Sequence, residues 1–147
     1  MTDSKYVHNS HNVSNLVYHF VCPTKYRRVV ITENVDRSMK QTCEGIELRY
    51  DWIVFLEVGA DKDHVHFLIQ STPNYSPAKI ITTVKSIIVK RMFAEHPEVK
   101  KQLWGGQFWS DGYFVASVGK NRSEEVIRNY VKNQGKQDEY EQLIIKL

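Results

Sequence analysis

The stretch Asp61-Lys62-Asp63-His64-Val65-His66-Phe67-Leu68-Ile69-Gln70 governs how the rest of this chain is read. A polar turn, Asp61-Lys62-Asp63, runs into a segment where Val65, Phe67 and Ile69 alternate with His64, His66, Leu68 and Gln70. A period of two marks a strand, and successive strand side chains point to opposite faces of a sheet. His64 and His66 therefore share one face. Two imidazoles that close can hold a divalent metal, given a third ligand from elsewhere. Taken alone, such a pair is an ordinary feature of a sheet face. The metal reading therefore needs a third ligand and a reactive group elsewhere in the chain.

Upstream, Leu16, Tyr18 and Phe20 alternate with Val17, His19 and Val21, which predicts a buried strand from Ser14 to Val21. It ends at Cys22-Pro23, where proline lacks the ladder donor. The cluster Lys25-Tyr26-Arg27-Arg28 follows. Thr32 caps a helix predicted to run to about Tyr50, with Val35, Met39, Cys43 and Ile46 along one stripe. A second strand is expected from Asp51 to Val58, with Trp52, Val54, Leu56 and Val58 on one face. Gly59 to Asp63 is the hairpin-length connection from it to the His strand.

Downstream, Ser76 and Pro77 open a helix whose stripe is Ile80, Val84, Ile87, Ile88 and Met92, and Pro97 ends it after about His96. Trp104, Phe108 and Trp109 lie among glycines as an aromatic loop, read as core or dimer contacts. A short strand is expected over Tyr113 to Ser117, then a flexible connector from Val118 to Asn121. The last helix is expected over residues 123–135, capped by Ser123 and ended by Gly135. Residues 1–12 read as a loose arm and residues 136–147 as a short tail, so that residues 1–147 form one domain.

The order β-α-β-β-α-β-α is that of the split βαβ, ferredoxin-like α+β fold. It predicts an antiparallel sheet with helices mainly on one face, plus the C-terminal helix. The first and third strands form the central pair, which puts the His strand mid-sheet. The face carrying His64 and His66 is then open or covered by the last helix.

Composition sets the broad class. Of the 147 residues 41% are hydrophobic and 25% charged, as in an ordinary globular domain. No apolar run is long enough to span a bilayer, and the first residues lack the apolar core of a secretory signal. Cys22 and Cys43 stand far apart, so no disulfide framework is expected and a cytoplasmic location suits the chain. The net charge of +3 is compatible with a nucleic-acid partner.

On the last helix Tyr130 and Gln134 lie one turn apart on a single face. One reading places Tyr130 with Val126, Ile127 and Val131 in an apolar stripe as a core residue. The other gives it chemistry. The amide oxygen of Gln134, with His64 and His66, makes a mixed nitrogen and oxygen site suited to Mg²⁺ or Mn²⁺ holding a phosphate. Tyr130 then faces that phosphate as a nucleophile.

Asp61-Lys62-Asp63-His64-Val65-His66 together with Tyr130-Val131-Lys132-Asn133-Gln134 resembles the HUH single-tyrosine transposases of small bacterial and archaeal insertion sequences, the TnpA type. Further matches are Tyr18-His19 through Lys25-Tyr26-Arg27-Arg28, the Trp104 to Trp109 loop, and Val118-Gly119 before the last helix. The resemblance implies recognition of single-stranded DNA hairpins and attack by Tyr130 to form a 5′-phosphotyrosine link with release of a 3′-OH. It also implies rejoining by the reverse step, a homodimer, and Gly119 as the hinge of the tyrosine helix. Lys25, Arg27 and Arg28 would hold DNA backbone while Tyr26 stacks an unpaired base. Lys85 and Lys90 read as a solvated helix face, and His8, His11, His19 and His96 receive no role. Two other readings compete: a domesticated nickase without strand transfer, and a non-catalytic RNA-binding module of the same fold with aromatics displayed on its sheet.

Overall fold

A computed structural model of the chain describes residues 7–8, 13–14, 16–103, 106–119 and 122–133. The elements are β1 (Val7–His8), β2 (Val13–Ser14), β3 (Leu16–Pro23), α1 (Glu33–Arg49), β4 (Val54–Asp61), β5 (His64–Ser71), α2 (Pro77–Glu95), α3 (Pro97–Gln102), β6 (Phe114–Val118) and α4 (Arg122–Lys132). Four of the strands form one antiparallel sheet in the order β4-β5-β3-β6. That is the ferredoxin-like order expected from the sequence, with β3 and β5 as the central pair.

The register sorts the side chains by face. Tyr18, Phe20 and Cys22 of β3 stand opposite Ile69, Phe67 and Val65 of β5. On this face the sheet packs against α1 and α2. Phe20, Phe67, Val35, Met39, Ile80, Val84 and Ile88 are all fully buried in the resulting core. Each such side chain contributes roughly 1.5–3 kcal/mol through removal of apolar area from water. The helices start where the caps require. Thr32 accepts from Val35 N, and Ser76 accepts from Lys79 N with Pro77 in the first helical position. The other face carries Val17, His19 and Val21 opposite Gln70, Leu68 and His66, and α4 lies across it.

Several expectations change. β4 begins at Val54, and a bulge between Phe55 and Glu57 shifts the register. The extra residue reverses parity, so Phe55 meets Phe67 on the core face while Glu57 joins the histidine face. The expected row of Trp52, Val54, Leu56 and Val58 is therefore broken. The connection to β5 is a two-residue turn, Lys62-Asp63, because Asp61 already pairs with His64. Pro97 does not only end α2; it opens α3. β3 continues through Pro23, which pairs with His64. Part of the expected arm is paired, Val7 with Ser14 and His8 with Val13. α4 starts at Arg122, so Ser123 sits inside it rather than capping it. Val126 is 53% exposed and stands outside the apolar stripe in which it was placed. Phe108 and Trp109 are buried, in keeping with their core reading. Trp104, Gln134, Gly135 and the tail lie outside the described residues. Among the described residues no helix is long and apolar enough to cross a membrane.

Candidate active site

The site is assembled by β5, β3 and α4. The β4-β5 turn places Asp63 beside the first histidine. Asp63 Oδ1 accepts from His64 Nδ1 at 2.8 Å. Two residues on, His66 Nδ1 lies 2.8 Å from His19 Nε2 of β3. Both Nδ1 atoms are thus engaged, so any ligation by this pair runs through the Nε2 atoms. The His64 and His66 rings stand 5.1 Å apart between centroids at 71°. Opposite His66 in the register is Gly59, which leaves no side chain of β4 beside that ring.

α4 supplies the phenol. The Tyr130 ring meets the His66 ring edge-on, with centroids 5.5 Å apart at 74°. Its hydroxyl oxygen is shielded from solvent. α4 is anchored on this face by Val131, which is fully buried, and by Arg128 Nε donating to Glu57 Oε1 at 3.2 Å. The bulge in β4 is what turns Glu57 toward α4. The helix covers the histidines of its own chain.

His64, His66 and His19 are 2%, 0% and 0% exposed. Burial pushes the His19 imidazole down to about 4. His66 is lowered further by burial, then by the neighbouring His19 and His64. Both rings are neutral at physiological pH, the state in which imidazole ligates a metal. Among the described residues no group of three His, Cys, Asp or Glu side chains could close around an ion. The described donor set is the histidine pair, and the expected third ligand, Gln134, lies outside it.

The basic segment is held against the same end of the sheet. Thr24 N donates to Asp63 O at 2.9 Å, and Val30 N and Ile31 N donate to Lys62 O at 3.2 and 3.1 Å. Residues 24–31 therefore wrap the turn that precedes His64. Inside this loop Lys25–Arg27 is a 3-10 turn in which Tyr26 has φ 58 and ψ 19. The left-handed conformation disfavours a bulky L side chain. Tyr26 is nonetheless 72% exposed, with Lys25 Nζ 5.2 Å from its ring centroid. Arg28 is exposed as well, and the side chain of Arg27 lies outside the described residues. A Cβ at Gly119 would meet nothing within 4 Å, so packing does not require glycine there. Lys85 is half-buried and donates to Ser110 O at 3.0 Å, so it is not the solvated side chain expected there, whereas Lys90 is exposed.

Sequence reasoning brought His64, His66 and Tyr130 together and missed His19. A histidine inside an otherwise apolar central strand was the available signal. Its partner depends on the β3-β5 register, which alternation alone does not specify.

Comparison with known proteins gives a consistent family. The family model described as "Transposase IS200 like" matches residues 12–134. The ISDra2 transposase TnpA of Deinococcus radiodurans is 29% identical over 122 residues, covering 83% of this chain and 86% of that protein. A transposase for insertion sequence element IS200 from Salmonella typhimurium is 29% identical over 141 residues, covering 92% of this chain and 88% of that protein. Among solved structures, a transposase candidate from Deinococcus radiodurans R1 superposes with a TM-score of 0.70 at 27% identity, covering 88% of this chain and 98% of that one. The fold is also that of a REP-associated tyrosine transposase bound to a REP hairpin, with a TM-score of 0.55 at 8% identity over 79% of this chain and 64% of that one.

Proposed function

This chain belongs to the IS200-like transposase family, and from that premise we propose that it cuts and rejoins single-stranded DNA through Tyr130. The observation that carries the reading is the Tyr130 ring set edge-on against His66, 5.5 Å between centroids, beside His64. A phenol set against one of a pair of buried imidazoles, with its hydroxyl shielded from solvent, suits chemistry rather than packing alone. The Tyr130 oxygen attacks the scissile phosphorus and forms a P–O bond. The bond from phosphorus to the 3′ oxygen breaks, and that oxygen takes up a proton as the 3′-OH. The DNA 5′ phosphate stays on the tyrosine. The 3′-OH of another end then displaces Tyr130 by the reverse step, so bond energy is kept and no external energy source is needed. A free phenol titrates near ~10 and needs help to attack at neutral pH.

His64 and His66 would hold a divalent ion through their Nε2 atoms, with Gln134 as a third ligand. When bound, Mg²⁺ or Mn²⁺ would polarise the scissile phosphate and offset charge in the transition state. The nitrogen content of the pair suits Mn²⁺ better than Mg²⁺. Asp63 orients the first imidazole.

Lys25, Tyr26, Arg27 and Arg28 would meet the DNA next to the scissile phosphate, since their loop is bonded to the turn before His64. The exposed ring of Tyr26 is suited to stacking on an unpaired base of a hairpin substrate. Its left-handed backbone is the kind of strain that a functional surface retains. Gly119 would supply the freedom for α4 to swing from this site. A homodimer is supported by β6, an edge strand on which Phe114 and Val115 are 38% and 36% exposed. Pairing of two β6 edges would be disrupted by Val115→Asp, which sedimentation would read as a dimer becoming a monomer.

The RNA-binding alternative wants aromatics displayed on β3 and β5. Phe20 and Phe67 instead point into the helix-covered core and are fully buried. The deciding experiment incubates the protein with labelled hairpin single strands and Mn²⁺ or Mg²⁺ and resolves it on denaturing gels. A covalent protein–DNA band is expected for wild type and not for Tyr130→Phe, nor in excess EDTA. An adduct that persists in Tyr130→Phe removes Tyr130 as nucleophile, and no adduct on any hairpin removes the reading. Cleavage without rejoined product would identify the nickase.

A further inference from the structure

β3 carries a buried polar group that the proposed reaction does not use. His19 is fully buried, mid-strand, and set between Leu68 of β5 and Ala116 of β6. Its Nε2 is 2.8 Å from His66 Nδ1. The two rings lie nearly parallel, 5.1 Å between centroids at 21°. Phe114 of β6 closes on His19 edge-on at 6.3 Å. A histidine in this place is expensive for the fold. Leu or Phe would bury the same area without a polar atom, and His19 Nδ1 has no hydrogen-bond partner among the described residues. What His19 adds over an apolar residue is one directed contact, to His66.

That contact has a definite consequence for the pair. Between two neutral imidazoles 2.8 Å apart, only one nitrogen carries the shared hydrogen. If His66 ligates through Nε2, its hydrogen sits on Nδ1 and is donated to His19 Nε2. The His19 hydrogen then sits on Nδ1. His64 needs no such partner from another strand, because Asp63 beside it already accepts from its Nδ1. Each histidine thus has its own acceptor, a carboxylate for one and an imidazole for the other.

We propose that His19 is a positioning residue: by accepting a hydrogen bond from His66 Nδ1 it sets the tautomer and ring orientation that point His66 Nε2 at a divalent cation. This rests on the metal reading of the histidine pair. Loss of an outer partner of this kind typically weakens metal binding 10–100-fold.

The test measures Mn²⁺ binding to the full-length, DNA-free protein by titration calorimetry, with melting temperature recorded for each variant. His19→Phe keeps the ring and the packing but cannot accept. It should bind Mn²⁺ roughly 10–100-fold more weakly than wild type. His19→Gln places an amide oxygen near the Nε2 position and should recover most of that affinity. Unchanged affinity in His19→Phe, or failure of His19→Gln to recover any, overturns the proposal while leaving the metal site intact. Wild type that binds no Mn²⁺, or binds it equally well after His64→Ala, overturns the metal reading itself and this inference with it. A second measurement needs no variant and covers the case in which His19→Phe fails to fold. Long-range ¹H–¹⁵N spectra of wild type saturated with Mg²⁺ should show His66 as the Nδ1–H tautomer. An Nε2–H tautomer in the loaded protein overturns the proposal.

Discussion

The two faces of the central sheet are built on opposite terms, and β5 shows it residue by residue. On one side Val65, Phe67 and Ile69 disappear into a core shared with α1 and α2. On the other, His64 and His66 are equally buried but answer to particular partners, Asp63 and His19. The apolar face is redundant. Any side chain of similar volume and shape would serve, because each contact is small and non-directional. The histidine face is not redundant, because a hydrogen bond needs one atom in one place. Stability is thus concentrated on the first face and chemistry on the second, a single peptide unit apart.

Neighbouring substitutions offer the sharpest break in that comparison. If His66 ligates the proposed metal, His66→Ala should lower cleavage of hairpin DNA by about 10³-fold or more, since a Lewis acid supplies several kcal/mol. It should also cost about 1–3 kcal/mol of stability, because His19 Nε2 is left buried without its partner. Phe67→Ala should do the reverse. Truncating a fully buried phenylalanine costs about 3–5 kcal/mol, read as a lower midpoint in urea with the slope unchanged. Folded Phe67→Ala, assayed cold, should cleave within a fewfold of wild type. Loss of cleavage in Phe67→Ala with an unaltered melting temperature would show that the faces are not separable in this way.

How much of each face was readable differs for the same physical reason. The core face is written as alternation and stripes: Phe20, Phe67, Val35, Met39, Ile80 and Ile88 were all legible from period alone. So were the cap at Thr32 and the start at Ser76-Pro77. The central pairing of β3 with β5 followed from element order. On the histidine face only what lies within one element was legible, namely His64 beside His66 and Tyr130 on its helix. The His19 contact is set by register between strands, and the place of Glu57 by a bulge; neither leaves a local pattern. A one-residue bulge broke the expected face of β4, and the strand lies three residues later than the expected Asp51 to Val58. The paired segment Val7–His8 was masked by its polar surroundings, and α3 by the expectation that Pro97 stops a helix rather than starting one.

Acid should distinguish the faces a second time. His19 is lowered from its ordinary value of 6.5 to about 4 by burial, and His66 is lowered as well. A base whose folded value is depressed takes up protons more readily unfolded, so stability is intact above about 6.5 and lost as pH falls toward 4. For His19 alone the loss is on the order of 3 kcal/mol. Urea midpoints of the metal-free protein should fall steadily across that range, and His19→Gln should remove part of the slope. A flat profile from pH 7 to 4.5 would mean that these imidazoles are far better solvated than their burial implies. The apolar face has ionisable groups too, but they act in the opposite range. Burial raises the Cys22 thiol to about 12 and raises Cys43 further, so neither should react with maleimide until the protein unfolds.

The smallest expected effect probes how firmly the two halves of the histidine face are joined. α4 is held by Val131 and by the Arg128–Glu57 pair, whose side chains are 44% and 21% exposed. An ion pair this accessible contributes about 0.2–1 kcal/mol, screened further by salt. Arg128→Ala should therefore leave the urea midpoint almost unchanged, because global unfolding is governed by the core on the other face. Local opening is a different matter. If α4 lifts from the sheet without unfolding it, losing the pair should speed exchange of α4 amides roughly two- to fivefold while β5 amides stay as they were. That asymmetry would place Tyr130 on an element that releases more easily than the histidines beside it, as the proposed cleavage and rejoining of DNA requires. Equal acceleration in α4 and β5 would mean that the helix and the sheet open as one unit, and that the division between the faces ends at the core.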